Sequence, residues 1–282
     1  MHPFKSSLLQ TQWLRALGHA SSGGAEPGEC IAVARRVQEK GERFEAWYDF
    51  WKAAADRLST QAERWLEANQ VLSSRECYMR ASNYYRTAYC PLFGSQIAQH
   101  QEMCKKAFSD HRSSFRKAIE LFPQTVGTQV KIIEIPFGHI DPKLPKLDGY
   151  IFAPDAQGPR PTVIVNGGYD STAEECYLFS AAAAVARGYT AVVFDGPGQG
   201  PCVIEHNIVF RPDWEVVITA VVDFLIAEAT DVVDPNLIGL IGISFGGYLA
   251  TRAACHEHRI KALIADPGEL SLRLEFAARL PK

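Results

Sequence analysis

The 282-residue sequence predicts an α/β fold with a mostly parallel sheet, preceded by an all-helical N-terminal segment. Three observations predict it. From about Val130 onward, short apolar runs alternate with helical stretches. Before about residue 125, apolar and aromatic residues recur at three- and four-residue spacing with few strand signals. And one apolar run, LIGLIGI, stops abruptly at Ser244, where two glycines lead into a small-residue helical pattern. The boundary is expected near residue 125, with residues 1–125 helical and 126–282 forming the α/β core.

In the helical segment, GECIAVARRVQEKGERFEAWYDFWKAAADRL (28–58) carries a helical apolar face through Phe44, Trp47, Phe50 and Trp51. Ser73 and Glu76 have the spacing of a capping box and are expected to open a second helix, which Pro91 ends. A third long helix is expected over 95–122, stopped at Pro123. In the core, strands are expected at 130–138, 147–154, 161–168, 190–200, 236–243 and 260–268, with helices at 174–188, 213–229 and 245–257. Strands joined through helices imply parallel neighbours with right-handed crossovers.

Composition narrows the function classes. With 29 basic and 32 acidic residues there is no clustered basic excess of the kind that nucleic-acid binding requires. No window approaches the ~18 consecutive apolar residues of a membrane span, and residues 1–28 do not read as a signal peptide. The seven cysteines are scattered and never spaced C-x-x-C, which fits free, mostly buried thiols in a reducing compartment and a cytoplasmic protein.

The chemistry-bearing stretch is Gly242-Ile243-Ser244-Phe245-Gly246. A G-x-S-x-G between an apolar strand and a helix is the nucleophile elbow: the serine sits on a strained turn and the flanking glycines let neighbouring backbone pass closely. The catalytic candidate is therefore Ser244. Its oxyanion hole needs two backbone donors, the amide of Phe245 and one from the loop VNGGYDSTAEE (165–175), namely Gly168 or Tyr169. In that loop, Asp170 or Ser171 is the expected N-cap of the following helix. DGPGQG (195–200) lacks the lysine of a P-loop and the G-x-G-x-x-G spacing, so it reads as a turn clearing the site's rim.

Together RASNYYRTA (80–88), NGGYDSTAEE (166–175), FDGPGQG (194–200), RPDWEVV (211–217) and GISFGGYLATRAA (242–254) carry a resemblance. The chain resembles the α/β-hydrolase superfamily from about residue 30 to its end, in the branch with a helical domain ahead of the core. That branch includes dihydroxypseudooxynicotine hydrolases, FrsA-like esterases and fungal hydrolases that shorten polyketides in pigment pathways. The resemblance implies a serine-nucleophile hydrolase acting on a C–C or ester bond next to a carbonyl, on a polyketide or aromatic ketone of secondary metabolism. It implies no cofactor, a helical domain that packs over the sheet's C-terminal edge, and a homodimer as one possible assembly. Tyr84, Tyr85 and Tyr89 become candidates to touch an aromatic substrate, with helix packing as the alternative.

In this fold the triad acid follows the seventh strand and the histidine the eighth. Counting from 130–138, Ser244 follows strand five and 260–268 is strand six, so the C-terminal strands of the core are expected to be missing. His256 and His258 fall at the far end of the elbow helix. His206 is the one histidine expected on the catalytic rim, and Asp266, ending strand six, is the possible acid. Three explanations stand: a fragment of a longer enzyme, a catalytically inactive homologue acting as a binding or scaffold protein, or completion by another chain. On this reading the 282-residue chain is expected to resist labelling at Ser244 by a fluorophosphonate.

Overall fold

The computed structural model describes residues 2–154 and 158–268. The chain divides into two compact units, Met1–Gly127 and Thr128–Lys282.

The first unit is built from helices α1 (Ser7–Gly18), α2 (Pro27–Glu39), α3 (Phe44–Glu67), α4 (Val71–Tyr89), α5 (Ala98–Glu120) and the short α6 (Phe122–Val126). Ser6 caps α1, its hydroxyl accepting from the Leu9 amide at 3.4 Å. The continuous pattern over 28–58 is two helices, α2 and α3. Gly41 and Glu42 take φ of 78° and 58°, and the Glu42 amide returns to the Val37 carbonyl, which closes α2 before Arg43 starts anew. The Ser73–Glu76 capping box does not form. Asn69 ends α3 in the left-handed conformation (φ 57°), so α4 begins two residues before Ser73, and Ser74 donates to the Ala62 carbonyl of α3 at 2.8 Å.

Helices α3, α4 and α5 share an aromatic core of Trp47, Trp51, Tyr84, Phe108 and Phe115, all fully buried. Burying side chains of this size contributes about 1.5–3 kcal/mol each. The motif 80–88 is the polar seam of this bundle. Asn83 donates to the Ala16 and Gly24 carbonyls at 3.1 and 2.7 Å, and Arg86 donates to Gln12 at 2.7 Å. Three buried side chains thereby satisfy backbone and polar groups that would otherwise be costly.

In the second unit the strands are β1 (Gln129–Pro136), β2 (Lys146–Ala153), β3 (Arg160–Asn166), β4 (Thr190–Phe194), β5 (Val233–Ile243) and β6 (Ile260–Asp266). Among the described residues they form one sheet in the order β1-β2-β4-β3-β5-β6. The β1–β2 and β2–β4 pairs are antiparallel and the β4–β3, β3–β5 and β5–β6 pairs parallel. The sheet is thus mixed, parallel in its second half. Helix α10 (Glu215–Glu228) buries Val217, Ile218, Val221, Val222 and Leu225 in the core that also contains Ile164, Val192 and Leu240.

Register positions the site. Asn166 pairs with Phe194 on one side and Gly242 on the other, and Ile243 pairs with Asp266. The loops after β3, β4, β5 and β6 therefore leave the sheet at the same edge, the carboxyl ends of the parallel strands, where such sheets place ligand sites. The helix expected over 174–188 is interrupted: α7 (Ala173–Cys176) passes through a π-helical turn, Tyr177–Ala181, into α8 (Ala182–Val185). After β4 comes the short α9 (Gly200–Ile204), and after β5 comes α11 (Phe245–Ala254), which stops three residues before its expected end.

Candidate active site

Ser244 stands between β5 and α11 with φ 58° and ψ −129°. This is backbone that a residue with a Cβ adopts only under strain, of order ~1–3 kcal/mol, and such strain gathers at functional sites. The glycines around it are there for space. A Cβ on Gly242 would lie 2.2 Å from the Gly246 carbonyl oxygen, and one on Gly246 would lie 2.4 Å from that of Asn166. A Cβ on Gly247 would lie 2.0 Å from that of Pro267. The turn is held from the next strand, the Ser244 amide donating to the Asp266 carbonyl at 2.6 Å. Ser244 itself is exposed, and the Phe245 amide opens α11 without an intrahelical acceptor.

Across the edge lies the loop after β3. Gly168 is packed against the elbow: a Cβ there would fall 2.9 Å from both the Ser244 Cβ and the Ile243 carbonyl oxygen, and 3.2 Å from the Phe245 nitrogen. The structure thus brings Ser244, Phe245 and Gly168 together. The Gly168 amide donates to the Ser171 hydroxyl at 2.8 Å. Tyr169 is exposed and its ring stacks on Phe210, centroids 6.0 Å apart, while Phe210 meets Phe245 edge-on at 5.1 Å. Thr172, rather than Asp170 or Ser171, caps α7, accepting from the Glu175 amide at 3.1 Å. Ser171 is used within the loop instead.

Three buried polar side chains brace these loops. Asn166, at the end of β3, donates to the Gly167 and Gly246 carbonyls at 3.4 and 3.3 Å and accepts from the Trp214 indole at 3.0 Å. Gln199 donates to the Gly167 carbonyl at 2.6 Å and the Gly168 carbonyl at 3.2 Å, and accepts from the Gly196 amide at 3.0 Å. The Asp195 carboxylate accepts from the Ala173 amide at 2.9 Å, at the start of α7. The GPGQG turn therefore does more than clear a rim. Sequence reading quoted these residues in motifs but gave them no role; a glutamine and an asparagine among glycines beside apolar strands were the available signal.

The motif 211–217 also resolves into contacts. Arg211 forks onto Asp213 at 2.7 and 2.9 Å and holds that carboxyl below its ordinary range. Glu215, on α10, is gripped by Arg252 of α11 at 2.7 and 2.8 Å.

Other expected site residues are placed differently. Tyr84, Tyr85 and Tyr89 are buried among the side chains of the helical unit. The Tyr84 hydroxyl donates to Glu29 at 2.9 Å and that of Tyr85 to Asp56 at 2.7 Å. Burial pushes both phenols well above their ordinary range. They sit at helical spacing on the inward face, where aromatic residues pack. Asp266 is exposed and meets the elbow through its backbone carbonyl. His206 is exposed after α9. Among the described residues no histidine hydrogen-bonds the Ser244 hydroxyl, and no group of three or more His, Cys, Asp or Glu side chains could hold a metal ion. No described helix is long and apolar enough to cross a membrane. An apolar cavity of about 570 Å³ lies among β3, β5, β6 and the Tyr177–Val185 stretch, lined by Val163, Phe179, Leu237 and Ile264, and does not include Ser244.

Comparison with known proteins agrees with this geometry. Residues 162–282 match the alpha/beta hydrolase family. Over 99% of its length the chain is 33% identical to hydrolase acrC of Aspergillus aculeatus, covering 65% of that protein. It is 34% identical to the 20-hydroxy-prefusarin hydrolase FUS2 of Gibberella moniliformis, with coverage of 99% and 64%. Among solved structures, 2,6-dihydroxy-pseudo-oxynicotine hydrolase superposes with a TM-score of 0.71 at 26% identity, over 88% of this chain and 64% of that one. The chain thus spans less than two thirds of the length of these relatives. Its strand order, its strained serine turn and these similarities show the α/β-hydrolase fold, and over residues 162–282 the chain is similar to the alpha/beta hydrolase family.

Proposed function

We propose that the chain carries the nucleophile and oxyanion hole of a serine hydrolase that cleaves a C–C or ester bond next to a carbonyl in fungal secondary metabolism. The observation supporting this most is the exposed Ser244 at φ 58°, ψ −129°, on a strand-to-helix turn with Gly168 packed against it. Ser244 Oγ attacks the carbonyl carbon and its proton passes to a general base. The carbonyl π pair moves to oxygen, where the Phe245 amide and an amide of the 168–169 loop stabilise the charge. Collapse of the adduct expels a stabilised carbanion or an alkoxide, which takes the proton from the base, and water then hydrolyses the acyl-enzyme, releasing the acid and restoring the Ser244 hydroxyl. The names of acrC and FUS2, both hydrolases and the latter a 20-hydroxy-prefusarin hydrolase, support a polyketide-type ketone or ester as substrate.

A second reading is a binding protein that holds a carbonyl ligand without turning it over. It is favoured by the absence, among the described residues, of a histidine bonded to Ser244. Hydrolysis of an activated ester and fluorophosphonate labelling, each compared with Ser244→Ala, separate the two. The hydrolase reading expects the serine to matter by about 10⁴-fold or more. A Ser244→Ala variant retaining more than a tenth of the activity removes Ser244 as nucleophile. Ligand binding with identical background rates in both proteins supports the binding reading.

A further inference from the structure

Resting on the reading of Ser244 as nucleophile, we infer that Tyr169 and Phe210 form an aromatic wall that selects substrates whose reacting carbonyl carries a planar conjugated group. The wall is built beside the serine. Gly168 packs against the Ser244 Cβ, and Tyr169 follows it in the chain, as Phe245 follows Ser244. The Phe210 ring joins the two, its centroid 6.0 Å from that of Tyr169 and 5.1 Å from that of Phe245. Consecutive Cα atoms are about 3.8 Å apart, so the arc of three rings begins and ends beside the nucleophile. Ser244 and Tyr169 are both exposed at this edge of the sheet, Tyr169 by 62%. A ring bonded to the carbonyl that Ser244 attacks therefore lies within reach of the wall.

The rings are held in place by the protein itself. Gly198, in the turn after β4, takes φ 89°, and a Cβ there would fall 2.5 Å from Cγ and Cδ2 of Phe210, so the turn leaves a seat for that ring. The Gly198 amide donates to the Ile208 carbonyl at 3.1 Å and Arg211 forks onto Asp213, which fixes the chain on both sides of Phe210. Trp214 meets the Phe210 ring at 5.9 Å, and Phe245 stacks on Tyr248 at 5.8 Å. Tyr169 lies within 18° of parallel to the seated ring while most of its own surface stays in solvent. Val209, 71% exposed, extends the apolar surface. Rings already held lose little freedom on binding, and aromatic pairs gain more than the area they bury. A saturated ring of the same size does not share that gain.

The test uses the 282-residue chain and two ketones that lack an activated bond, methyl 2-naphthyl ketone and methyl 2-decalyl ketone, titrated by NMR. They share the carbonyl and the ring skeleton and differ in aromaticity. The decalyl ketone is the more apolar, so a surface that recognised only apolar area would prefer it. The wild type is expected to bind the naphthyl ketone about 3–10-fold more tightly, with Overhauser contacts from the probe to the Tyr169 and Phe210 rings and to the Ser244 β protons. In Tyr169→Leu that preference is expected to vanish while decalyl binding and the melting temperature are retained; Tyr169→Phe is expected to keep it. Phe210→Leu, where it folds, is expected to lose the preference too. A purely structural role would weaken both ketones alike. Tighter binding of the decalyl ketone, a preference that survives Tyr169→Leu, contacts to Val163 and Ile264 in place of the two rings, or no binding of either ketone overturns the proposal. Failure of Ser244 to act as nucleophile is read separately, by the Ser244→Ala comparison above, and leaves the binding preference standing.

Discussion

The backbone of Gly168 lies so close to Ser244 that a Cβ built on the glycine would stand 2.9 Å from the Cβ of the serine. The same added atom would press on the Ile243 carbonyl oxygen at 2.9 Å. Neither neighbour is the far end of a flexible chain, so one loop must move. Gly168→Ala is expected to destabilise the fold by about 1–3 kcal/mol, the usual result of overpacking, and to draw the loop away from the elbow. Thermal unfolding and the chemical shift of the Phe245 amide check this. A variant that melts with the wild type and leaves that amide unmoved would show that the close approach is not maintained in solution.

Ser244 tests the strain directly. At φ 58° and ψ −129° a glycine is comfortable and an alanine is not. Ser244→Gly is expected to be more stable than Ser244→Ala by about 1 kcal/mol, the relief of strain exceeding the extra freedom glycine gives the unfolded chain. Denaturant midpoints of the two variants supply the measurement, and an alanine variant at least as stable as the glycine one would refute a strained turn.

Glu257 provides a pH dependence away from the site. Its carboxylate receives the Arg259 guanidinium at 2.7 and 2.5 Å, the Arg259 amide at 3.0 Å and the Thr219 hydroxyl of α10 at 3.0 Å. The Arg259 bonds above all hold its carboxyl below the ordinary range, against the opposing effect of burial. A depressed folded-state pKa means stability that is present above the unfolded value of ~4.3 and is lost as pH falls through the folded value. Glu257→Gln is expected to cost about 1–3 kcal/mol at neutral pH and to flatten the acid limb of the stability profile. An unchanged acid limb in the variant would remove Glu257 as a contributor.

The sequence by itself determined the alternation of strands and helices in the second unit, because a period of two or a solid apolar run bounded by glycine is a local property of the chain. It also determined the serine turn: Gly242, Gly246 and Gly247 announce in one dimension that backbone will pass close in three. It did not determine where helices break in the first unit. The apolar period lapses over QEKGER (38–43), where Gly41 was the available stop signal, and the left-handed backbone of Gly41 and Glu42 separates α2 from α3. Nor could it sort the aromatic residues, since Tyr84 and Tyr85 have the same spacing whether a helix face meets another helix or a ligand. In the structure Tyr84 packs against Trp51, and the hydroxyls of Tyr84 and Tyr85 donate to Glu29 and Asp56.

The bracing of the site was decided by tertiary structure alone. Gln199 reaches Gly167 across 32 positions, Trp214 reaches Asn166 across 48, and Asn166 reaches Gly246 across 80. Each contact exists because parallel register sets Asn166 beside Phe194 and Gly242, so that three loops distant in sequence leave the sheet at one edge. Residue types fix which groups can donate or accept. Register fixes which of them meet.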